Sequence, residues 1–209
     1  MYKTVSETGE FSQTINKSRF IAVVNHIETE EEARLLIENE RKKYPDARHC
    51  CWAYILGENG MRYSDDGEPQ GTAGLPMLEV LKKRNITNVL VTVTRYFGGI
   101  LLGTGGLARA YSSSCAGAAD NAKIATMVLC RRITAEFDYP LFSRIKLPVE
   151  KFDGAKTEKC AFGQNVLVAF TVKEEKCDGF RAFLTQLSGG KVQIEEGERF
   201  FFPWEEEQA

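Results

Sequence analysis

Apolar positions change period several times along this chain, and each change marks an element. Lys3–Val5 and Glu10–Ile15 are short β-prone runs on either side of Gly9, the pattern of a small hairpin. Residues 19–27, RFIAVVNHI, read as a strand with a buried middle. At Thr29 the period becomes helical: Ala33, Leu36, Ile37 and Tyr44 share a stripe, acids come early and bases late, and Pro45 stops the run. Thr29 with Glu32 forms a capping-box signature at its start. HCCWAYIL, residues 49–56, is a strand whose alternation puts His49 and Cys51 on one face and Cys50 and Trp52 on the other. Residues 57–74 read as a long loop rich in Gly, Asp and Glu. A helix over 76–84 begins at Pro76, a strand covers 88–95, a glycine-rich loop follows, and small residues line a helix over 105–122.

The last third has its own rhythm. Strand 127–137 precedes helix 139–150. Strands 154–162 and 166–172 flank a Gly163-Gln164-Asn165 turn, then come helix 174–187 and strand 192–201. The order β-α-β-β-α-β is the split arrangement of a ferredoxin-like fold. The fold class is therefore α+β, with a boundary near residue 130 and two closely joined domains, 1–130 and 131–209.

Composition narrows the class. With 209 residues, 43% of them hydrophobic and 27% charged, the chain is an ordinary globular protein of one or two domains. No apolar run approaches a bilayer span and the N-terminus lacks a signal-peptide core, so a cytoplasmic protein without membrane contact is expected. Cys50, Cys51, Cys115, Cys130, Cys160 and Cys177 contain no C-x-x-C pair, and they read as reduced, mostly buried thiols without zinc. The net charge of −2 excludes a globally basic nucleic-acid binder, so any polyanion site must be a local patch. The closing WEEEQA is an acidic, solvated tail.

One interval is such a patch. Between Glu79 and Asp120 there is no Asp or Glu, while Lys82, Lys83, Arg84, Arg95 and Arg109 all fall there. Gly98, Gly99, Gly103, Gly105 and Gly106 lie between a β-branched run and a helical run. Their backbone N–H groups can approach an anion closely, and the first turn of the next helix adds unpaired donors. Gly98-x4-Gly103-Thr104 resembles a P-loop but lacks its lysine, and Gly103-x-Gly105-x-x-Ala108 follows too long a loop for a dinucleotide fingerprint. A general phosphate site competes with a plain crossover that seats a helix close to a sheet.

Other residues admit chemistry too. Asp65, Asp66 and Glu68 lie in one loop and, with His49, are the candidates for acid/base work or a hard cation, although calcium-loop spacing is absent and turn formation explains them equally well. His49 and a cysteine could meet as a catalytic pair, or His49 could be a hydrogen-bonded structural residue. No role is assigned to His26. Phe200 and Phe202 share a strand face, with Trp204 beyond them. That is a base-stacking platform or an edge packing on its own core.

Several strings occur together: Lys17-Ser18-Arg19-Phe20-Ile21, Ala47-x-His49, Cys51-Trp52-Ala53-Tyr54, Ser64-Asp65-Asp66-Gly67-Glu68-Pro69, Gly71-Thr72-Ala73-Gly74, and Arg95-Tyr96-Phe97-Gly98-Gly99 through Gly103-x-Gly105-Gly106-Leu107-x-Arg109-Ala110-Tyr111. Jointly they resemble the YigZ/Impact family over essentially the whole chain. The resemblance implies an N-terminal domain similar to domain 2 of ribosomal protein S5 and a ferredoxin-like C-terminal domain similar to one in elongation factor G. It implies a link to translation and contact with RNA or the ribosome. The kinase regulation of eukaryotic members works through an RWD domain that is not expected here. A proline dipeptidase activity, a label some bacterial members carry, finds no support in two histidines and one acidic loop. The leading expectation is a non-enzymatic RNA- or ribosome-binding protein without cofactor or metal. Arg95 and Arg109 would contact phosphates and Lys82, Lys83 and Arg84 would extend the surface. The alternatives are an enzyme acting on a small phosphorylated or nucleotide-like ligand, and a protein-interaction module. In the latter, the acidic loop could also pair with Arg95 or Arg109 inside the fold.

Overall fold

The computed structural model describes residues 1–57 and 60–204, and the acidic Glu205–Glu207 lie outside the described residues. The chain is a mixed α+β protein with two sheets and five α-helices among those residues. It forms two compact units, Tyr2–Thr126 and Met127–Trp204.

In the first unit, β2 (Gly9–Ile15), β3 (Ser18–His26), β4 (His49–Leu56), β5 (Gly60–Ser64) and β6 (Val89–Tyr96) form an antiparallel sheet in the order β2-β3-β6-β4-β5. Alternation divides the side chains between two clusters. Phe20, Ala22, Val24, Cys51, Ala53, Val91 and Val93 join Met77 and Leu81 of α2 (Gly74–Lys83) and Leu107, Tyr111 and Cys115 of α3 (Gly103–Asn121). Tyr54 and Leu90 turn the other way, onto Ala33 and Ile37 of α1 (Glu30–Lys43). Half of the capping box forms: Thr29 Oγ1 accepts from Glu32 N–H at 3.1 Å, while the Glu32 carboxylate accepts at 2.6 Å from the N–H of Glu28, one residue before the cap, and not from Thr29.

Two local expectations change. The hairpin around Gly9 does not form. β2 pairs with β3 across Asn16 and Lys17, both at positive φ, while β1 (Tyr2–Glu7) is tied elsewhere, its Lys3 carbonyl accepting from Thr87 N–H. Gly9 serves packing instead, since a Cβ there would sit 2.1 Å from the Ala118 carbonyl oxygen of α3. Part of the long 57–74 loop is strand β5, a short, largely exposed run whose side chains show no buried period.

The second unit runs β7 (Lys123–Phe137), α4 (Tyr139–Glu150), β8 (Ala155–Phe162), β9 (Val166–Lys173), a single 3-10 turn (Glu174–Lys176), α5 (Cys177–Leu187) and β10 (Gln193–Pro203). The strands of this unit run β10-β7-β9-β8, each pair antiparallel, and β1 joins the same five-stranded sheet beside β7. Ile133, Ala135, Phe137, Val166, Val168, Phe170 and Val172 face Ile145 and Val149 of α4 and Phe180 and Leu184 of α5.

Candidate functional site

The acidic loop and the glycine loop meet beneath the end of β6, and a tight set of polar contacts joins them. Asp65 organises the first loop. Its carboxylate accepts from the N–H groups of Gly71 at 2.8 Å, Ala73 at 2.9 Å and Gly74 at 2.8 Å. It thereby satisfies donors at the start of α2, where Ala73 supplies no side-chain cap. Asp66 adopts φ 43, its carboxylate accepts from Cys50 N–H at 2.7 Å and from Arg41 at 2.8 Å, and its carbonyl faces His49 Nδ1 at 2.8 Å. The carbonyl can only accept, so Nδ1 donates, and Nε2 lies 4.0 Å from Glu68 Oε1.

Glu68 is the centre. Its Oε1 accepts from Arg95 at 2.6 Å and from the Tyr111 hydroxyl at 2.8 Å, and the Arg95 and Glu68 side chains are only 5% and 4% exposed. Arg95 also donates to Ser18 Oγ at 3.3 Å and lies over the rings of Phe20 and Phe97. Ser18 Oγ in turn accepts from Gly98 N–H at 3.2 Å. Cys51 Sγ donates to the Asp65 carbonyl at 2.9 Å and sits 3.4 Å from the Tyr111 hydroxyl. Burial pushes both the Cys51 thiol and the Tyr111 phenol well above their ordinary ranges, so both stay neutral.

This arrangement reassigns several expected site residues. Arg95 does not face an external anion, because Glu68 neutralises it inside the fold. Asp65 and Asp66 have their carboxylates filled by backbone donors and Arg41, and Glu68 is sealed. With His49 they form a structural network, and no three His, Cys, Asp or Glu side chains converge as a metal cradle among the described residues. A cleft of about 520 Å³ does open between α1 and the β4–β5 hairpin, but Trp52, Arg34 and Arg62 line it, not these carboxylates. Ser18 and Tyr111 also belong to the network, and nothing in their local sequence pattern marks either as a site residue.

The basic interval is likewise divided. Lys82 pairs with Glu79 at 3.1 Å and Arg84 with Asp120 at 2.6 Å. The Arg84 contact holds the Asp120 carboxyl below its usual range. Lys83 and Arg109 are exposed and have no ion-pair partner among the described residues. Arg109 lies back along α3, its guanidinium within 3.7 Å of where a Gly105 Cβ would be. The first turn of α3 begins at Gly103 with no side-chain cap.

The glycines differ in kind. A Cβ on Gly98 would lie 2.1 Å from the Lys17 carbonyl, so Gly98 lets the loop rest on the Asn16–Lys17 turn. Gly99 and Gly103 have φ +84 and +70 with open space around them, and Gly106 packs on Leu102. The loop tip between Gly99 and Gly103 exposes Leu101 (85%) and Ile100 (43%), and Phe97 before it is 41% exposed.

Comparison with known proteins supplies the lineage. Residues 16–119 match the Impact N-terminal domain, a span that contains the whole network and both loops. Over 199 residues the chain is 40% identical to IMPACT family member YvyE of Bacillus subtilis, covering 94% of this chain and 91% of that protein. This chain belongs to the IMPACT family. IMPACT family member YigZ of Escherichia coli is 34% identical, over 87% of this chain and 91% of its own. A crystal structure of a hypothetical protein, 32% identical, superposes with a TM-score of 0.60, covering 94% of this chain and 97% of that one. Among the described residues of this IMPACT family chain, no helix is long and apolar enough to cross a membrane.

Proposed function

We propose that this chain is a non-enzymatic cytoplasmic protein that binds RNA or the ribosome and is linked to regulation of translation. Its contact in the N-terminal unit is the open part of the glycine loop, from Gly99 to Arg109. One observation carries the reading: Arg109, exposed and without a carboxylate partner among the described residues, lies beside the uncapped first turn of α3, which open Gly99 precedes and open Gly103 begins. Backbone donors, a positive helix end and one guanidinium suit a phosphate group. Lys83 and Arg109 remain from the expected basic set, while Lys82, Arg84 and Arg95 are already paired. The family's implied tie to translation points the same way. The β-α-β-β-α-β order and the β10-β7-β9-β8 sheet support a ferredoxin-like reading of the second domain, proposed as 131–209, after an S5-domain-2-like first domain, 1–130.

The test is co-sedimentation of the full chain with ribosomes and with free RNA at low and moderate salt. Salt-sensitive association that weakens in Arg109→Glu supports the reading. Absence of association at low salt overturns it. A second reading, a protein partner, is favoured by the exposed apolar tip. Association that Leu101→Asp abolishes and salt leaves unchanged would select it.

A further inference from the structure

The second unit carries a sheet face whose chemistry the glycine loop does not share. Ile133 and Ala135 of β7 turn into the core with Phe170 and Val172 of β9. Alternation therefore sends Arg132, Thr171 and Lys173 to the opposite face. Register extends that face across the sheet: Lys156 of β8 pairs with Thr171, Lys173 with Cys130, and Phe200 and Phe202 of β10 with Cys130 and Val128. α4 and α5 pack on the other side, through the core those residues face away from.

Aromatic rings and cations interleave here. Phe200, Phe202 and Trp204 follow one another at strand spacing with edge-to-face contacts of 6.3 and 6.1 Å between centroids. Lys156 and Lys173 each place their ammonium 4.8 Å from the Trp204 ring centre, and Arg132 lies 5.3 Å from that of Phe200. Each contact gains from the ring's negative face. Glu158 and Glu198 pair with Arg132, and Glu158 also accepts from the Thr171 hydroxyl. Among the described residues, Lys156 and Lys173 have no carboxylate partner. The three rings are half-buried, so each is held in place and keeps an open part.

We propose that this face binds single-stranded RNA, with bases stacking on Trp204 and Phe202 and with Lys156 and Lys173 on the backbone phosphates. Rings at strand spacing, flanked by ammonium groups with no carboxylate partner among the described residues, match what unpaired bases on a phosphate chain require. A duplex hides the base faces and offers phosphates only. The inference rests on the RNA reading above for its ligand class, but on separate residues. Glu205, Glu206 and Glu207 follow Trp204 in the sequence and oppose phosphate, so binding is read from low salt upward.

The experiment uses the full chain carrying Trp52→Phe, which leaves Trp204 as its tryptophan. A short unstructured oligoribonucleotide is titrated while tryptophan emission and probe anisotropy are followed, with the matching RNA duplex and single-stranded DNA in parallel. Expected are quenching of Trp204 and weaker binding in Trp204→Ala by roughly five- to a hundred-fold. Lys156→Gln should flatten the salt slope by about 0.7–1. Trp204 lies just past β10, which ends at Pro203, and outside the buried cluster, so its loss should leave the fold intact. Binding in Trp204→Ala equal to the parent overturns the inference, as does equal affinity for duplex, tighter binding of DNA than RNA, or no oligonucleotide binding at all. Arg109→Glu separates the two readings. If it abolishes binding and Trp204→Ala does not, the glycine-loop reading stands and this one falls. The reverse result keeps this one and removes the other.

Discussion

Arg95 and Arg109 bracket the same glycine loop, lie in the same acid-free interval and have opposite fates. Arg95 is buried, paired with Glu68 and flanked by two aromatic rings. Arg109 is exposed and unpaired among the described residues, lying over a bare glycine. The difference comes from a remote loop. Asp65 and Asp66 bind backbone donors and so hold the chain where Glu68 reaches Arg95 but not Arg109. An acid-free stretch of sequence is thus not an acid-free place in space. A buried pair of this kind gives little net stability over apolar packing but is costly to break.

The strongest way to break the contrast is Glu68→Ala. It leaves the Arg95 guanidinium and the Tyr111 hydroxyl without their acceptor, and should lower unfolding free energy by about 3–5 kcal/mol in urea denaturation. A loss under about 1 kcal/mol would mean that Arg95 reaches water and that the two arginines are equivalent. Replacing both charges, Glu68→Leu with Arg95→Met, should recover much of the loss, since no uncompensated charge then remains.

The loop glycines sharpen the comparison on a smaller scale. Gly98→Ala drives a methyl into the Lys17 backbone, where no rotamer can give way, and should cost about 3 kcal/mol, the upper end of overpacking. Gly99→Ala meets nothing within 4 Å and suffers only from its φ of +84, which should cost about 1–2 kcal/mol. Both are read as shifts in denaturation midpoint at unchanged slope. Equal effects would place the two glycines in one environment and erase the boundary between the fixed and open halves of the loop.

What was legible in the sequence follows the same divide between local and distant causes. The α1 cap rests on Thr29 and Glu32, neighbours whose roles can be read within one turn. The face assignment along β4 follows from alternation alone, with Cys51 in one cluster and Tyr54 in the other. Gly9 reads as a turn in the sequence because glycine's commonest use is conformational. Its reason is the α3 backbone, more than a hundred positions away in the chain. The actual turn is made by Asn16 and Lys17, and of these only asparagine has a marked tolerance for positive φ. β5 gave no signal because an exposed edge strand has no buried side to set a period. At the site, every residue of the Glu68 network was visible as a type, but the pairing of Glu68 with Arg95 depends on where two separate loops are anchored. Pattern reading proposes the participants of such a network and leaves its pairings to the fold.

The smallest expected effect on stability discriminates best. Arg109 is exposed and makes no ion pair among the described residues, so Arg109→Ala should change unfolding free energy by no more than about 0.5 kcal/mol. Alanine's higher helix propensity pushes any change toward stabilisation. The same substitution removes the cation beside the open glycines, so ribosome or RNA association at low salt should weaken for all sequences alike, with the salt slope reduced by about 1. Arg95→Ala cannot make this distinction, because it removes the partner of a buried carboxylate, and lost binding would be inseparable from lost fold. Only a substitution that leaves the network intact separates what this end of the sheet binds from what holds it together. If Arg109→Ala destabilises the protein as much as a change at Glu68 does, Arg109 is part of the scaffold and the open loop is not a binding surface.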